Sequence, residues 1–175
     1  AIALRQSLTD ARLSSEAVAG RKAVFVSGTT VGGMDLTERH YESMRRDELD
    51  ASSLAHHDCG SNTRDIAAFC GLACEMTTVS TACSSALNAI ILGARMLLSG
   101  EADVVIAGGA EALSRFHLNG FNSLLILDNE RCRPFDANRQ GLNLGEGAAY
   151  VVLERAADAA NRGANILGYV AGWGN

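Results

Sequence analysis

VSTACSSALNAIILGARMLLSG, residues 79–100, sets one cysteine among very small side chains, directly ahead of a long apolar run. From Ser84 to Ser99, Leu87, Ile90, Ile91, Ala94, Leu97 and Leu98 fall at the offsets of one helical face, and Gly100 supplies a stop. Beyond that face, Ala86, Ala89, Leu92, Gly93 and Met96 leave only Asn88 and Arg95 as long or strongly polar side chains. A helix apolar nearly all round is predicted to be central and buried. TTVS before it reads as a strand and ADVVIAGG after it as another, both without polar alternation. The three together predict a right-handed βαβ crossover whose strands are covered on both faces.

Working outward, KAVFVSGTT (22–30), GEGAAYVVLE (145–154) and ANILGYVAGW (164–173) read as three further strands. Helical stretches alternate with them: AIALRQSLTDARLSS at the start, the highly charged LTERHYESMRRDELD (36–50), and a short piece from Arg155 to Arg162 that Gly163 can end. Such alternation predicts α/β architecture. With no internal repeat and no linker, one domain or one piece of a domain is the simplest division.

Composition narrows the function. A chain of 175 residues, 47% hydrophobic, can bury a substantial core. Its net charge of −5 and scattered arginines offer no footprint for nucleic acid. No apolar run reads as long enough for a bilayer, so no membrane partner is expected. Five cysteines (Cys59, Cys70, Cys74, Cys83, Cys132), odd in number and with no leader-like stretch before them, predict a reducing, cytoplasmic setting. His56 and His57 stand near three of these thiols, yet no paired C-x2-C or H-x3-H spacing is present, and no metal is expected. SGTTVGG (27–33) follows a strand as a phosphate loop does, but it fits neither dinucleotide nor P-loop spacing and reads as a turn. AGGAEAL (107–113) reads as a strand end whose bare backbone permits close packing.

Cys83 is predicted at the junction of TTVS and the central helix, the carboxyl end of a strand, where α/β proteins place their chemistry. Free N–H groups at a helix start favour a thiolate and a developing oxyanion. The small neighbours Ser80, Thr81, Ala82, Ser84, Ser85 and Ala86 leave room for an approaching thioester. They equally let the helix pack tightly, with Cys83 as a small hydrophobe. These features alone do not choose between the two.

Four blocks do. TACSSA around Cys83, DVVIAGGAEAL at 103–113, CRPFDANRQGLNLGEGAAYVVLE at 132–154 and ANRGANILGYVAGWG at 160–174 resemble, in order and spacing, the β-ketoacyl-acyl-carrier-protein synthases of the thiolase superfamily. The resemblance is best from about Gly71 onward and vaguest between Met34 and Ala68. It implies a thiolase-like α/β fold, N-terminal half, with a mixed sheet and a buried helix after the nucleophilic cysteine. It makes Cys83 the catalytic residue that carries the acyl chain as a thioester, and the Cys83 N–H half of an oxyanion hole. Phe121 aligns with an aromatic near the acyl pocket of some relatives and is the candidate substrate-binding residue; an ordinary core phenylalanine fits as well.

The implied reaction is decarboxylative condensation of the Cys83-bound acyl group with malonyl-acyl-carrier protein, in fatty acid or polyketide-type synthesis. No cofactor is implied, since the phosphopantetheine arm arrives on the carrier protein, and a homodimer is expected. Pro134 is read as fixing a turn, Asp136 and Arg139 as supporting a loop, and Gly141, Gly145 and Gly147 as allowing close backbone approach. Gln140 stands where the family commonly has an acidic residue. The family's two histidines and lysine lie in a second half that does not match here, so His40, His56, His57 and His117 receive no role. Residues 1–175 thus read as a partial N-terminal half, without the family's first strand. A thiolase using the same cysteine, or a catalytically silent partner subunit, are the alternatives. The RPFD and GEGA blocks favour the synthase over the first, and retention of Cys83 speaks against the second.

Overall fold

The structure is a computed structural model that describes residues 1–46, 48 and 54–174. Four strands form one mixed sheet in the order β2-β1-β3-β4: β1 (Ala23–Gly28), β2 (Glu75–Val79), β3 (Val104–Glu111) and β4 (Gly147–Glu154). β1 runs parallel to both β2 and β3, whereas β4 is antiparallel to β3. Three of the predicted strand runs on either side of the cysteine, and the TTVS run itself, are therefore strands.

Strand alternation sorts the sheet into two cores. Phe25, Val104, Ile106 and Tyr150 face one side, where they pack with Leu4 and Leu8 of α1 (Ile2–Asp10), Val18 of α2 (Ser15–Ala19), and Ile66 and Ala67 of α4 (Cys59–Phe69). Val24, Val26, Val105 and Ala107 face the other side and meet Ala89 and Leu97 of α5 (Ser85–Ser99). The result is a helix–sheet–helix sandwich. α3 (Met34–Arg45) and α6 (Arg115–Ser123) lie against each other beyond the carboxyl ends of β1 and β3, and α7 (Ala156–Asn161) follows β4.

Three expectations are corrected. β2 and β3 are parallel but not neighbours, because β1 lies between them and the crossover helix spans it. β2 is consequently an edge strand, half exposed where burial on both faces was expected. Second, α5 seats on only part of its predicted face: Ala94 and Leu97 are buried and Ile90 packs on the sheet core, but Leu87 and Leu98 are 67% and 75% exposed, and Ser85, Ala89 and Gly93 complete the contact. A sheet face already filled by valines admits the helix only where its side chains are small; a carbon added at Gly93 would lie 2.8 Å from Val105 Cγ1. Third, 164–173 forms no strand, and Leu167 and Tyr169 stand exposed, because no described strand pairs with it.

Smaller differences follow local backbone. The amino-terminal helix is two helices, broken where Arg12 takes a left-handed φ of 54°. The charged helix ends at Arg45, and part of its predicted tail (47 and 49–50) lies outside the described residues. Gly100 and Gly163 stop their helices with φ of 75° and 69°, as expected. Ala82–Ser99 is, by length and composition, apolar enough to cross a membrane, contrary to the sequence expectation, but here it lies along the sheet.

Two adjacent glycines show how the sheet receives its neighbours. Gly108 and Gly109 point to opposite faces. Beside Gly108 the Tyr150 ring crosses β3, and its hydroxyl meets Ser27 Oγ at 2.8 Å on β1. A carbon added at Gly108 would lie 2.8 Å from the ring's Cδ1. Added at Gly109, it would lie 2.9 Å from Ala86 Cβ, at the start of α5. The reading of AGG as close-packed backbone therefore holds twice over, once on each face.

Candidate active site

Cys83 sits between the end of β2 and Ser84, the residue that caps α5, at the carboxyl end of the parallel strands. Of the five thiols it alone is exposed; Cys70 is buried and Cys59, Cys74 and Cys132 are half-buried. Burial pushes the Cys74 thiol up, away from thiolate character. Cys70 Sγ lies 3.5 Å from the Ala1 carbonyl in the core. Exposure therefore selects Cys83 by physical access as well as by position.

The turn that carries it is heavily tied. Ala82, a residue with a side chain, holds a left-handed φ of 52°. Its carbonyl accepts from Ser85 Oγ at 2.6 Å and Ser85 N at 3.1 Å, while Thr81 N donates to Ser85 Oγ at 2.9 Å. Ser84 Oγ donates to Thr81 O at 2.8 Å, and Asn88 Nδ2 reaches Thr81 Oγ1 at 2.9 Å. The seryl and threonyl hydroxyls thus substitute for a regular cap, since the Ser84 side chain caps no N–H of α5. Among the described residues no acceptor takes the N–H of Cys83, Ala86 or Leu87. Such groups are available to an oxyanion.

Small residues around the cysteine divide into two kinds. Ser85 and Ala86 are small because α5 lands on the sheet there: a carbon at Gly28 would meet Ser85 C at 2.5 Å and Ala86 N at 2.6 Å. Thr81 and Ala82 are exposed and leave the approach to Cys83 open. Both readings of the small cluster are therefore realised, at different positions.

SGTTVGG is the turn it was read to be, and it also braces the cysteine turn. Thr30 Oγ1 lies 3.4 Å from Ala82 O, and Ser80 Oγ donates to Thr30 O at 3.2 Å. The Glu111 carboxylate at the end of β3 accepts from Thr29 Oγ1 at 3.2 Å and from Thr30 N. Glu111 and Thr30 were missed in the sequence; an acid ending an otherwise apolar strand was the available signal. Glu38, read as part of a solvated face, accepts from the N–H of Arg115 at 2.8 Å and Phe116 at 2.7 Å, and so caps α6 from α3.

A family model described as Beta-ketoacyl synthase, N-terminal domain, matches residues 2–159. The chain belongs to the β-ketoacyl synthase family. It is 35% identical to Nodulation protein E of Rhizobium meliloti (strain 1021), over 99% of this chain and 44% of that protein. It is 31% identical to the tetracenomycin polyketide synthase ketoacyl synthase alpha subunit of Streptomyces glaucescens, over 98% of this chain and 44% of that one. Among solved structures, the ishigamide ketosynthase/chain length factor superposes with a TM-score of 0.83 at 33% identity, covering 93% of this chain and 41% of that chain. A β-ketoacyl synthase from Burkholderia phymatum gives the same TM-score at 26% identity, over 94% and 43%. The chain thus spans under half the length of the curated relatives it matches. Family and fold are those the four sequence blocks implied, and the thiolase alternative yields to the ketoacyl synthase match.

Phe121 lies on α6, half-buried, and belongs to neither core cluster. The structure brings it to the same end of the sheet as Cys83, on a different element. In the RPFD loop, Asn138 N donates to Asp136 Oδ1 at 2.7 Å and Arg139 to Asp136 O at 2.9 Å, the support expected of those residues. Gly141 is close-packed, 2.6 Å from Ile126 O for an added carbon, whereas Gly145 and Gly147 face open space, against expectation. Three of the four histidines are engaged elsewhere: His56 with Asp65 at 2.6 Å, His57 with Thr37 at 2.7 Å and His117 with Ser114 at 3.1 Å. Among the described residues no group of three metal-ligating side chains is gathered.

Proposed function

We propose that this chain is the nucleophile-bearing half of a condensing enzyme that joins a Cys83-bound acyl group to malonyl-acyl-carrier protein with loss of carbon dioxide. The carrying observation is the exposed Cys83 at the junction of β2 and α5, within a chain matched to the family from residue 2 to 159. The Cys83 thiolate adds to the acyl thioester carbonyl and expels the carrier's pantetheine thiolate, leaving an acyl-enzyme. The N–H groups at the start of α5 donate to the developing oxyanion. Decarboxylation of the malonyl unit then leaves a carbanion that attacks the Cys83 thioester and returns the thiolate.

Relatives named 3-oxoacyl-[acyl-carrier-protein] synthase 2 and a polyketide ketoacyl synthase subunit support fatty acid or polyketide-type synthesis, and with it acyl carrier protein as partner. Phe121 is assigned to the acyl-binding side of the site. β2, the open edge beside Cys83, supports a homodimer formed by edge pairing, and the odd number of cysteines, all free thiols here, supports a cytoplasmic setting.

The test is mass spectrometry of the natural polypeptide carrying these residues after incubation with acyl-carrier protein, followed by carbon dioxide release on adding malonyl-carrier protein. Acyl mass on Cys83 with subsequent release supports the proposal. Acyl mass on Cys59 or Cys132 sinks it, and absence of any acyl mass points to a catalytically silent partner subunit. Light scattering that shows only monomer at micromolar concentration removes the homodimer.

A further inference from the structure

We infer that Glu111 is a positioning residue for the nucleophile turn, acting through the 29–33 loop rather than by touching substrate. The inference rests on Cys83 being the nucleophile. Its basis is a continuous path of bonds from β3 to the residue before Cys83. Glu111 uses both carboxylate oxygens on the loop, one for Thr29 Oγ1 at 3.2 Å and one for Thr30 N. Thr29 Oγ1 in turn accepts from Gly32 N at 3.2 Å, so the loop is closed on itself around the same hydroxyl. From the far side of that loop Thr30 reaches Ala82 O at 3.4 Å and receives Ser80 Oγ at 3.2 Å. Thr30 therefore bridges the β3 carboxylate to both flanks of Thr81–Ala82.

The turn needs such support. Ala82 holds a left-handed φ of 52°, a conformation that costs free energy for a residue with a Cβ and persists only where surrounding bonds over-determine it. Its carbonyl is pinned from α5 by Ser85 and from the opposite side by Thr30. Release of one side lets the Ala82–Cys83 peptide rotate, moving the Cys83 thiol and its N–H away from a common carbonyl target. A displacement of that kind lowers the rate of acyl transfer within the bound complex and leaves carrier binding alone.

The experiment uses Glu111→Ala, Glu111→Gln, Thr30→Val and the double variant Glu111→Ala/Thr30→Val of the natural polypeptide. Single-turnover acylation by acyl-carrier protein is read beside hydrogen exchange of the peptide spanning 79–85. Expected for Glu111→Ala is an acylation rate constant at saturating donor reduced about tenfold, KM unchanged within about twofold, and faster exchange at 79–85. Glu111→Gln, isosteric and still able to accept from Thr30 N, recovers most of the rate. Thr30→Val, with its N–H intact, matches Glu111→Ala, and the double variant is no worse than either single one. The proposal is overturned if folded Glu111→Ala acylates at the wild-type rate with unchanged exchange, if only KM moves, or if the two single effects multiply. Cys83→Ala separates the two readings. Acylation that survives in it removes the nucleophile, while exchange at 79–85 still decides whether Glu111 holds the turn.

Discussion

The two ends of the sheet are fastened by different chemistry. At the amino ends of β1 and β3, charge does the work. Glu154, whose side chain is 4% exposed, receives Arg21 at 2.9 Å and Arg162, and Arg155 meets Asp103 at 2.5 Å and Asp158 at 2.8 Å. Arg155 also donates to Leu97 O at 3.2 Å, anchoring the carboxyl end of α5 where a cation complements the helix dipole. At the carboxyl ends the fasteners are hydroxyls, backbone groups and Glu111, and they converge on Ala82, the residue before Cys83. One end of α5 is held by the ion-paired Arg155 through Leu97 O, while the other keeps free N–H groups and an exposed thiol. The electrostatic anchor and the exposed thiol are thereby placed at opposite ends of one helix.

Removing the thiol should act at one end only. Cys83→Ala is expected to lower acyl loading by at least about a thousandfold, measured by intact-protein mass spectrometry. Because Cys83 is exposed, the unfolding free energy from urea denaturation should stay within about 0.5 kcal/mol of the parent. A large stability change there would break the separation of roles.

Glu154→Ala probes the opposite end. Two arginines lose their shared carboxylate in a largely buried site, and a loss of about 2–4 kcal/mol is expected in urea denaturation. Acyl loading per folded molecule should be unchanged. Gly109→Ala lies on the boundary, where the added carbon drives against Ala86 and the Gly28 carbonyl. It should cost about 1–3 kcal/mol and also slow acylation, because the start of α5 must shift.

The smallest effect is expected midway, at Tyr150→Phe, which strands the buried Ser27 hydroxyl at a cost of about 1 kcal/mol. Burial pushes the Tyr150 hydroxyl up, partly offset by its bond with Ser27. A phenol that ionises later in the folded state gives stability that is complete below its unfolded pKa of about 10 and fades as pH rises toward the folded value. Denaturation midpoints from pH 9 to 11 should show that decline in the parent and a shallower one in Tyr150→Phe.

Sequence legibility followed distance along the chain. Four of the five strand runs, the helix stops at Gly100 and Gly163, and the cysteine's place at a strand–helix junction are local patterns that the structure bears out. The face of α5 is right at Ile90, Ala94 and Leu97 and wrong at Leu87 and Leu98, which obey helical spacing, because the choice of face depends on how closely a valine-lined sheet lets the helix approach. The segment 164–173 has a strand's composition but lacks a described partner, and composition cannot supply one. Glu111 escaped notice because its partner Thr30 is 81 residues away.

The sheet order carries a consequence for how the molecule comes into being. β1, first in the chain, is flanked by β2 and β3, so it stays half-paired until residues far downstream have been synthesised. Closing loops of that length is entropically unfavourable, and folds dominated by distant pairings mature slowly. The start of α5 rests on Gly28 and Gly109 together, so it has no complete seat until β3 is in register. The cysteine turn should therefore be among the late structures to form on a ribosome, and the Cys83 thiol has no fixed place until the sheet that supports it exists.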